Sequence, residues 1–476
     1  MRGRTRTICD DLDVATRDSS TAIVIGGSVA GSFAARVLAD FFDRVIVFDR
    51  DVFPDQPVAR KGAMQGVHFH ALLAKGRMVA ETLFPGFGAE LVQRGAATID
   101  ASQTRVYEPY GWGPVRAPGI SLVAASRLLI ELVLRGRAAA ISNVDVCTGR
   151  EVVGLALSDD GVRVGGVHVS AVDGGTGVVE PADLVIDASG RAALAARWLP
   201  ALGFPEPETT TVNAHWGYAS RFYRIPDGLI GPVVGGFPLG QAGSGAASTR
   251  GGFLLLQEND TWLITLSGSA KDFPPGDEAG FLAFARTLAF PQIGEVIPHG
   301  EPLSPIRTWR NTVNRRRHFE KVRLPEGLIV LGDAACAFNP IYGQGMSVAS
   351  VEAIDLQTEL TNQRTLAPDG SIDGLARRFA ERLAGSIDYA WQAACRADYG
   401  VPGVEGAPPP DGYLEALAYY HRVVALSRDD LGVYEKISMT NQLLCGPDWL
   451  DDPALRATIA QRWDELGALM GYAAQR

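Results

Sequence analysis

Short apolar runs, each bounded by glycine or polar residues, recur along the chain and predict strands interleaved with amphipathic helices. Thr21-Ala22-Ile23-Val24-Ile25 reads as a buried strand, Gly26 to Gly31 as a turn, and Phe33, Val37, Leu38 and Phe41 as the apolar side of a helix. A second strand, Arg44 to Phe48, ends on Asp49 and completes a β-α-β unit. Ser126-Arg127 opens a helix whose buried side carries Leu128, Leu129, Leu132 and Val133. Val152 to Leu157 and Val162 to Val169 read as a meander closing through the glycine-rich turn at Asp173 to Gly177, and Leu184 to Asp187 as another buried strand. From about Pro205 the pattern changes: Trp216, Tyr218, Ser220 and Phe222 alternate, as do Trp262, Ile264 and Leu266, and Phe253 to Leu256 is a short apolar run. Alternation rich in aromatics predicts an antiparallel sheet with one dry face. Gly235 to Gly252 reads as loop and Glu278 to Phe290 as helix. Gly327 to Leu331 returns to the buried-strand pattern, and Met346, Ala349, Ala353, Leu356 and Leu360 then fall on one face of a helix.

These patterns predict an α/β chain. Residues 1–20 form a disordered arm, 21–204 the first part of a Rossmann-like dinucleotide domain, and 205–300 an inserted antiparallel-sheet domain for substrate. Residues 301–404 return to the dinucleotide domain, and 405–476 form a helical C-terminal region with Pro408-Pro409-Pro410 in its linker.

Chemistry gathers at the strand ends. Gly26 suits a tight turn, Gly31 suits close packing of helix on sheet, and Asp49, 23 positions after Gly26, is spaced to accept hydrogen bonds from a ribose. Ser28 stands where the second glycine of a G-x-G-x-x-G turn is usual. Downstream, Gly332-Asp333 ends a strand, and a loop from Pro340 through Gly343, Gln344 and Gly345 leads into the helix at Met346. The free N–H groups at that helix start suit an anion or an electron-rich ring edge. Arg60-Lys61-Gly62 with Gln65, His68 and His70 has two readings: a surface loop with a solvated basic pair and hydrogen-bonded histidines, or a loop folded over a cofactor with both cations balancing its charge. Arg127 is either a surface charge or a phosphate ligand. Pro109 to Pro118 reads as an excursion towards a pocket. Arg315-Arg316-Arg317-His318 reads as a solvated face, with contact to a nicotinamide dinucleotide phosphate as the alternative.

Composition narrows the class. With 476 residues, 46% of them hydrophobic and 21% charged, the chain is long enough for two or three domains of an ordinary soluble protein. A formal net charge of −10 argues against nucleic acid or anionic membranes as general partners. Its five cysteines are scattered without C-x-x-C or a histidine cluster at metal spacing, which predicts no metal site and a reducing, cytoplasmic setting. The first twenty residues lack the apolar core of a signal peptide, and no apolar run reaches the length of a membrane span.

Gly26 to Gly31 with Asp49, then Asp187-Ala188-Ser189-Gly190-Arg191, then Gly332-Asp333 with Pro340 to Gly345 together resemble the para-hydroxybenzoate-hydroxylase-like flavoprotein monooxygenases. The Arg60–His70 loop and Ser304 to Met346 look most like the olefin epoxidases of polyether antibiotic biosynthesis, the lasalocid epoxidase type. The resemblance implies FAD as cofactor. Gly26, Ser28, Val29, Ala30 and Gly31 would hold its pyrophosphate, Asp49 its adenosine ribose, and Arg127 its phosphates or ribityl chain. Asp333 would accept from the ribityl hydroxyls, and Pro340, Gly343, Gln344, Gly345 and Met346 would face the pyrimidine edge. Arg50, Arg60, Lys61 and Val152 complete the implied cofactor-binding set, and no protein residue is implied as catalytic. The implied reaction transfers one oxygen atom from O2, through a C4a-hydroperoxyflavin, to a hydrophobic polyketide- or terpenoid-like substrate, with NADPH or NADH as electron donor. Olefin epoxidation is the leading form. Alternatives are aromatic hydroxylation, flavin-dependent reduction of an isoprenoid double bond, and a non-enzymatic flavin-binding, complex-stabilising role. The Trp-x-Trp-x-Ile-Pro signature of flavin halogenases is absent from Tyr110 to Val115, so Lys75 reads as a surface lysine.

Overall fold

The computed structural model describes residues 19–114, 119, 121–171, 177–229, 233–236 and 249–471. Most of the expected N-terminal arm lies outside the described residues, as do parts of the expected excursion at 109–118, the turn at 173–177 and the loop at 235–252.

The organising element is a five-stranded parallel sheet. In chain order its strands and flanking helices begin with β1 (Thr21–Ile25), α1 (Val29–Leu38), β2 (Arg44–Asp49), α2 (Ala74–Leu83) and α3 (Arg127–Ala139). They continue with β3 (Val144–Thr148) and β4 (Leu184–Asp187). After the inserted sheet come β5 (Asn314–Arg317), which belongs to a separate sheet, and then β6 (Leu328–Val330), α4 (Gly345–Leu366) and α5 (Leu375–Tyr399). The spatial order is β6-β4-β1-β2-β3, every pair parallel. Helices α1, α3, α4 and α5 pack side by side against the sheet, and the antiparallel meander Arg150–Leu157, Val164–Ala171 and Val178–Pro181 packs against β2 and β4. With both faces covered, β1 and β4 are buried at every position and read as unbroken apolar runs rather than alternating ones. In register, Ile25 lies opposite both Phe48 and Asp187, and Asp187 opposite Val330. The turns that follow these strands therefore open on one edge of the sheet, the carboxyl edge where open α/β folds bind ligands.

Two glycines make that edge possible. Gly26 has φ +99° and a Cβ there would stand 2.6 Å from the carbonyl oxygen of Ala188. At Gly31 a Cβ would stand 1.8 Å from the carbonyl oxygen of Gly26, so α1 crosses the end of β1 at a distance only glycine permits.

The inserted sheet is larger than its alternating stretches suggested. Strands Gly217–Arg224, Arg250–Leu256 and Thr261–Gly268 form its antiparallel centre. It also takes in Thr104–Glu108 and Gly111–Trp112 on one side, and Glu301–Pro302 and Arg307–Trp309 on the other. The boundary 205–300 is thus too narrow. These added strands are short and paired across long sequence distances, so they carry no period of their own. The expected helix at 278–290 stops at Ala285, and Pro291 leads into a second short helix, Gln292–Val296.

A four-stranded sheet joins the two parts, in the order Cys336–Ala337, β5, Thr209–Asn213, Glu405–Gly406. This corrects the solvated reading of Arg315 to His318. Asn314 and Arg316 turn inward from β5, and Arg316, 8% exposed, pairs with Asp388 at 2.6 Å and donates to the Ala384 carbonyl at 3.2 Å. Arg317 donates to the Ala334 carbonyl at 2.9 Å, and His318 sits between Thr210 and Glu320. A guanidinium is tolerated inside when its N–H groups find acceptors.

The C-terminal helices Tyr413–Leu426, Leu431–Asn441, Pro453–Gln461 and Trp463–Leu469 pack around Val423, Leu426, Ile459 and Leu466. Gln442 ties them to the main domain: its side-chain and main-chain oxygens accept from the Ala74 and Lys75 N–H groups that start α2, at 2.8 and 3.2 Å. Among the described residues no helix is long and apolar enough to cross a membrane.

Gly31→Ala is expected to abolish soluble folded protein, or to lower the melting temperature by more than 10 °C if any survives, because a methyl carbon cannot share space with a backbone oxygen ~1.8 Å away. Soluble yield and thermal unfolding by circular dichroism measure it.

Candidate functional site

A cavity of about 430 Å³ opens at the carboxyl edge of the parallel sheet. Every candidate cofactor-binding residue except Gly31 lines it: Gly26, Ser28, Val29, Ala30, Asp49, Arg50, Arg60, Lys61, Arg127, Val152, Asp333, Pro340 and Gly343 to Met346. Gly31 lies under the turn and lets α1 reach the wall.

Ser28 is the N-cap of α1, yet its hydroxyl makes no capping bond. It donates instead to Glu131 Oε2 at 2.9 Å. A capping serine would consume one of the free N–H groups of the first turn. Here those of Val29, Ala30 and Gly31 have no acceptor among the described residues, and they carry the positive end of the helix dipole to the cavity wall.

Glu131 itself was not among the candidates. It is buried on α3 among Arg60 (Nε–Oε1 2.8 Å), Arg135 (3.5 Å) and Arg127 (3.6 Å). Burial pushes its carboxyl up, but Arg127, Arg60 and Arg135 together outweigh that and hold it below the usual glutamate value. The spacing Arg127-x3-Glu131-x3-Arg135, a charged stripe along a mostly apolar helix, was legible in the sequence.

The same cluster decides between the two readings of the Arg60 loop, and neither holds whole. The loop does line the cavity, and the Arg60 side chain is only 8% exposed. Its charge, however, is taken up by Asp51 at 2.8 Å, Glu131 at 2.8 Å and Asp49 at 3.6 Å, so it is not free to balance a ligand. Lys61 is exposed at the rim. Asp49 accepts the N–H groups of Gly27 and Asp51, both at 2.9 Å, while burial raises its pKa. Arg127 faces the cavity and donates to His70 Nε2 at 3.0 Å; His70 Nδ1 then donates to the His68 carbonyl at 3.1 Å. Burial, and after it the Arg127 charge, keeps His70 neutral, which fixes this tautomer. His68 is buried against the inserted sheet with its Nδ1 2.8 Å from Ser220 Oγ, and burial lowers its pKa to about 4.

Asp333 differs from the other strand-end carboxylates. Its side chain is 35% exposed, and its only charged neighbour among the described residues is Arg191, at 3.9 Å. The Gly332 N–H beside it donates to Glu352 Oε2 at 2.5 Å. Glu352 is fully buried, and burial raises its pKa to about 8. Arg191 donates to the carbonyls of Val313 and Phe338, so the segment entering the loop is pinned to the turn after β4.

The loop turns at Asn339–Gly343 and delivers the start of α4 to the cavity. The N–H groups of Gly345 and Met346 have no acceptor among the described residues, and the buried Gln344 Oε1 likewise has no partner. Arg191, Trp309, Asn311, Phe338 and Asn339 also line the cavity and were not foreseen. Trp309 and Asn311 come from an edge strand and its following loop, whose position depends on pairing with the strand Gly217–Arg224. The expected surface lysine, Lys75, is half-buried in the first turn of α2 and is not among the lining residues.

This is the fold of the flavin-dependent halogenases and monooxygenases. The flavin-dependent brominase Bmp2 superposes with a TM-score of 0.64 at 11% identity, covering 93% of this chain and 98% of that one. A flavoprotein/dehydrogenase from Cytophaga hutchinsonii gives 0.64 at 14%, covering 94% and 98%. PqsL from Pseudomonas aeruginosa, a probable FAD-dependent monooxygenase, gives 0.56 at 16%, covering 88% and 99%. In sequence, the chain is 33% identical over 419 residues to Protein Rv3254 of Mycobacterium tuberculosis (strain ATCC 25618 / H37Rv), with 86% of each chain covered, and it belongs to the family of that protein. No protein-family model matches the chain.

Glu131→Ala would leave three guanidiniums without their common partner and is expected to destabilise the fold by roughly 3 kcal/mol at pH 7 in urea unfolding. Because the folded Glu131 is the stronger acid, the deficit should shrink as pH falls below about 4.3. Glu352 has the opposite sign: folded it holds a proton that the unfolded chain has already lost. Wild-type stability relative to Glu352→Gln should therefore fall between about pH 4.3 and about 8, then level off. Parallel denaturation curves across that range test both.

Proposed function

We propose that the chain is an FAD-dependent monooxygenase that places one atom of O2 on a hydrophobic secondary-metabolite substrate, with olefin epoxidation ahead of aromatic hydroxylation. The observation carrying this reading is the convergence on one cavity of two uncapped helix starts and a partly exposed carboxylate, Asp333, whose ion pair with Arg191 is long at 3.9 Å. The residues present fit the cofactor. The open amides of Val29 to Gly31 suit a pyrophosphate, and Asp49 at the end of β2 suits a ribose. Arg127, held by His70 and Glu131, presents its guanidinium to the phosphates or ribityl chain, and Asp333 offers both oxygens to the ribityl hydroxyls. Gly343 to Met346, with the unpartnered Gln344 Oε1, suit the polar edge of the pyrimidine ring.

A bound flavin supplies electron transfer from a nicotinamide donor, NADPH first, and the activation of oxygen. The protein's part is to bind, orient and keep dry. The start of α4 stabilises negative charge at the ring edge. Trp309 stands on the cavity wall with its ring 6.3 Å from that of the buried His68, and Phe69 stacks on Phe253 at 4.3 Å, which closes the seam between the Arg60 loop and the inserted sheet. An aromatic wall of this kind suits a polyketide- or terpenoid-like substrate and excludes water. Oxygen transfer to an olefin asks for no protein nucleophile, and the named polar groups are engaged in holding the site. Lys75, outside the lining, gives halogenation no support.

Purified protein is expected to carry a flavin absorption spectrum, and NADPH oxidation is expected to depend on an added polyene or phenol. With labelled O2 the product should gain one labelled oxygen. Unlabelled product, or equal turnover without oxygen, would replace this reading with double-bond reduction. Flavin that no nicotinamide donor reduces, whatever the substrate, would favour a non-catalytic binder.

A further inference from the structure

The last residue pair of α5 holds a buried carboxylate that none of the foregoing uses. Asp398 is fully buried, and its hydrogen-bond partners among the described residues are all neutral. Three donors meet it at hydrogen-bond distance, and the Asn339 side chain also favours its ionised form. Tyr342 Oη and Trp216 Nε1 donate to Oδ1 at 2.6 and 2.8 Å, and Asn314 Nδ2 donates to Oδ2 at 2.5 Å. Each comes from a different segment: the loop before α4, the strand start of the inserted sheet, and β5. Burial pushes the carboxyl up to about 7, against the pull of these donors. Tyr218, Tyr342 and Cys395 are the titratable groups closest to it, and burial raises the pKa of all three.

Two of the three donors lead to one turn. Tyr342 is its penultimate residue. Asn314, through its Oδ1, accepts the N–H of Asn339 at 2.6 Å, which is where the turn begins. Within the turn, the Ile341 N–H donates to Tyr218 Oη at 3.1 Å and to Asn339 Oδ1 at 3.3 Å, and Tyr218 donates to Asn339 Oδ1. The turn's polar handles are thus gripped from behind, at both ends, while Pro340 and Gly343 line the cavity in front. The third donor, Trp216, anchors the inserted sheet to the same carboxylate and makes no hydrogen bond to the turn among the described residues.

We propose that Asp398 is a positioning residue for the cofactor ring: through Tyr342 and the Asn314–Asn339 pair it holds the Asn339–Gly343 turn so that Gly343 to Met346 face the cavity. This rests on the flavin reading of the site. A carboxylate suits the task because it accepts from all three donors at once. An asparagine cannot, since either orientation of its amide turns an N–H group towards at least one donor.

The test compares Tyr342→Phe, Asp398→Asn and Trp216→Phe in the full chain. Flavin affinity, the visible spectrum of bound FAD, melting temperature and amide exchange at Ile341 and Gly343 are read for each. Tyr342→Phe and Asp398→Asn should weaken FAD binding by about tenfold or more, the scale of one lost hydrogen bond to a charged group. They should also shift the flavin spectrum and speed exchange at both amides. Trp216→Phe should lower the melting temperature yet leave affinity, spectrum and exchange as in wild type. Equal loss of stability in all three with unchanged affinity, spectrum and exchange would overturn the proposal and leave Asp398 a plain structural tie. If wild-type protein takes up no FAD, the functional reading fails by itself. The exchange comparison still decides the positioning claim: faster exchange in the first two variants alone supports it, and no difference among the three overturns it.

Discussion

A carboxylate taken out of water must be met by donors, and around this cavity that requirement shapes nearly every turn. Asp49 ends β2 on the amides of Gly27 and Asp51; Asp187 ends β4 on those of Ser189 and Ala195, at 2.9 and 2.7 Å; Glu352 takes the amide of Gly332. Each acid fixes the backbone of the segment after a strand, so the sheet edge becomes a row of defined turns rather than loose loops. Asp333 is the departure. It sits in an equivalent place but keeps its oxygens towards the cavity, with one arginine at the limit of ion-pair distance. A group left open where its neighbours are all engaged is the one available to a ligand.

Cations follow the same logic. Arg60, Arg127 and Arg135 converge on Glu131, and each also reaches an acceptor elsewhere: Asp51 for Arg60, His70 for Arg127 and the Pro54 carbonyl for Arg135. The cluster is close to neutral as a whole, which permits its burial. It also explains how a serine is accommodated in the glycine turn. The hydroxyl has a partner in Glu131 and does not compete for the helix amides. A departure from the usual pattern at Ser28 is thus compensated on a helix about a hundred residues away in sequence.

The two sheets are coupled through polar contacts that sequence patterns do not announce. Trp216 and Tyr218 enter from the inserted sheet, Asn314 from the joining sheet, Asp398 from α5 and Tyr342 from the loop. His68 adds a bond to Ser220 across the seam. Low local dielectric strengthens such a network when every member is paired and makes it costly to break at one point. The wall of the cavity formed by Trp309 and Phe338 is therefore set by the relation between sheets, not by either alone.

What the sequence determined by itself was local and periodic. The β1-turn-α1-β2 unit, the β4 and β6 strands, the helix after Gly345 and the alternating centre of the inserted sheet were all legible, because burial on one or two faces writes a short period into neighbouring residues. Asp49, Asp333 and the loop from Pro340 to Met346 were legible for a related reason, lying at fixed offsets from those strands. Tertiary structure decided the partners. Arg60 looked available until Asp51 and Glu131 claimed it, Arg316 looked solvated until Asp388 met it, and Thr104 to Trp112 showed no strand signal until the inserted sheet supplied an edge. A side chain's charge is written in the sequence, but its counter-charge arrives through contacts between distant segments, and no local period encodes those.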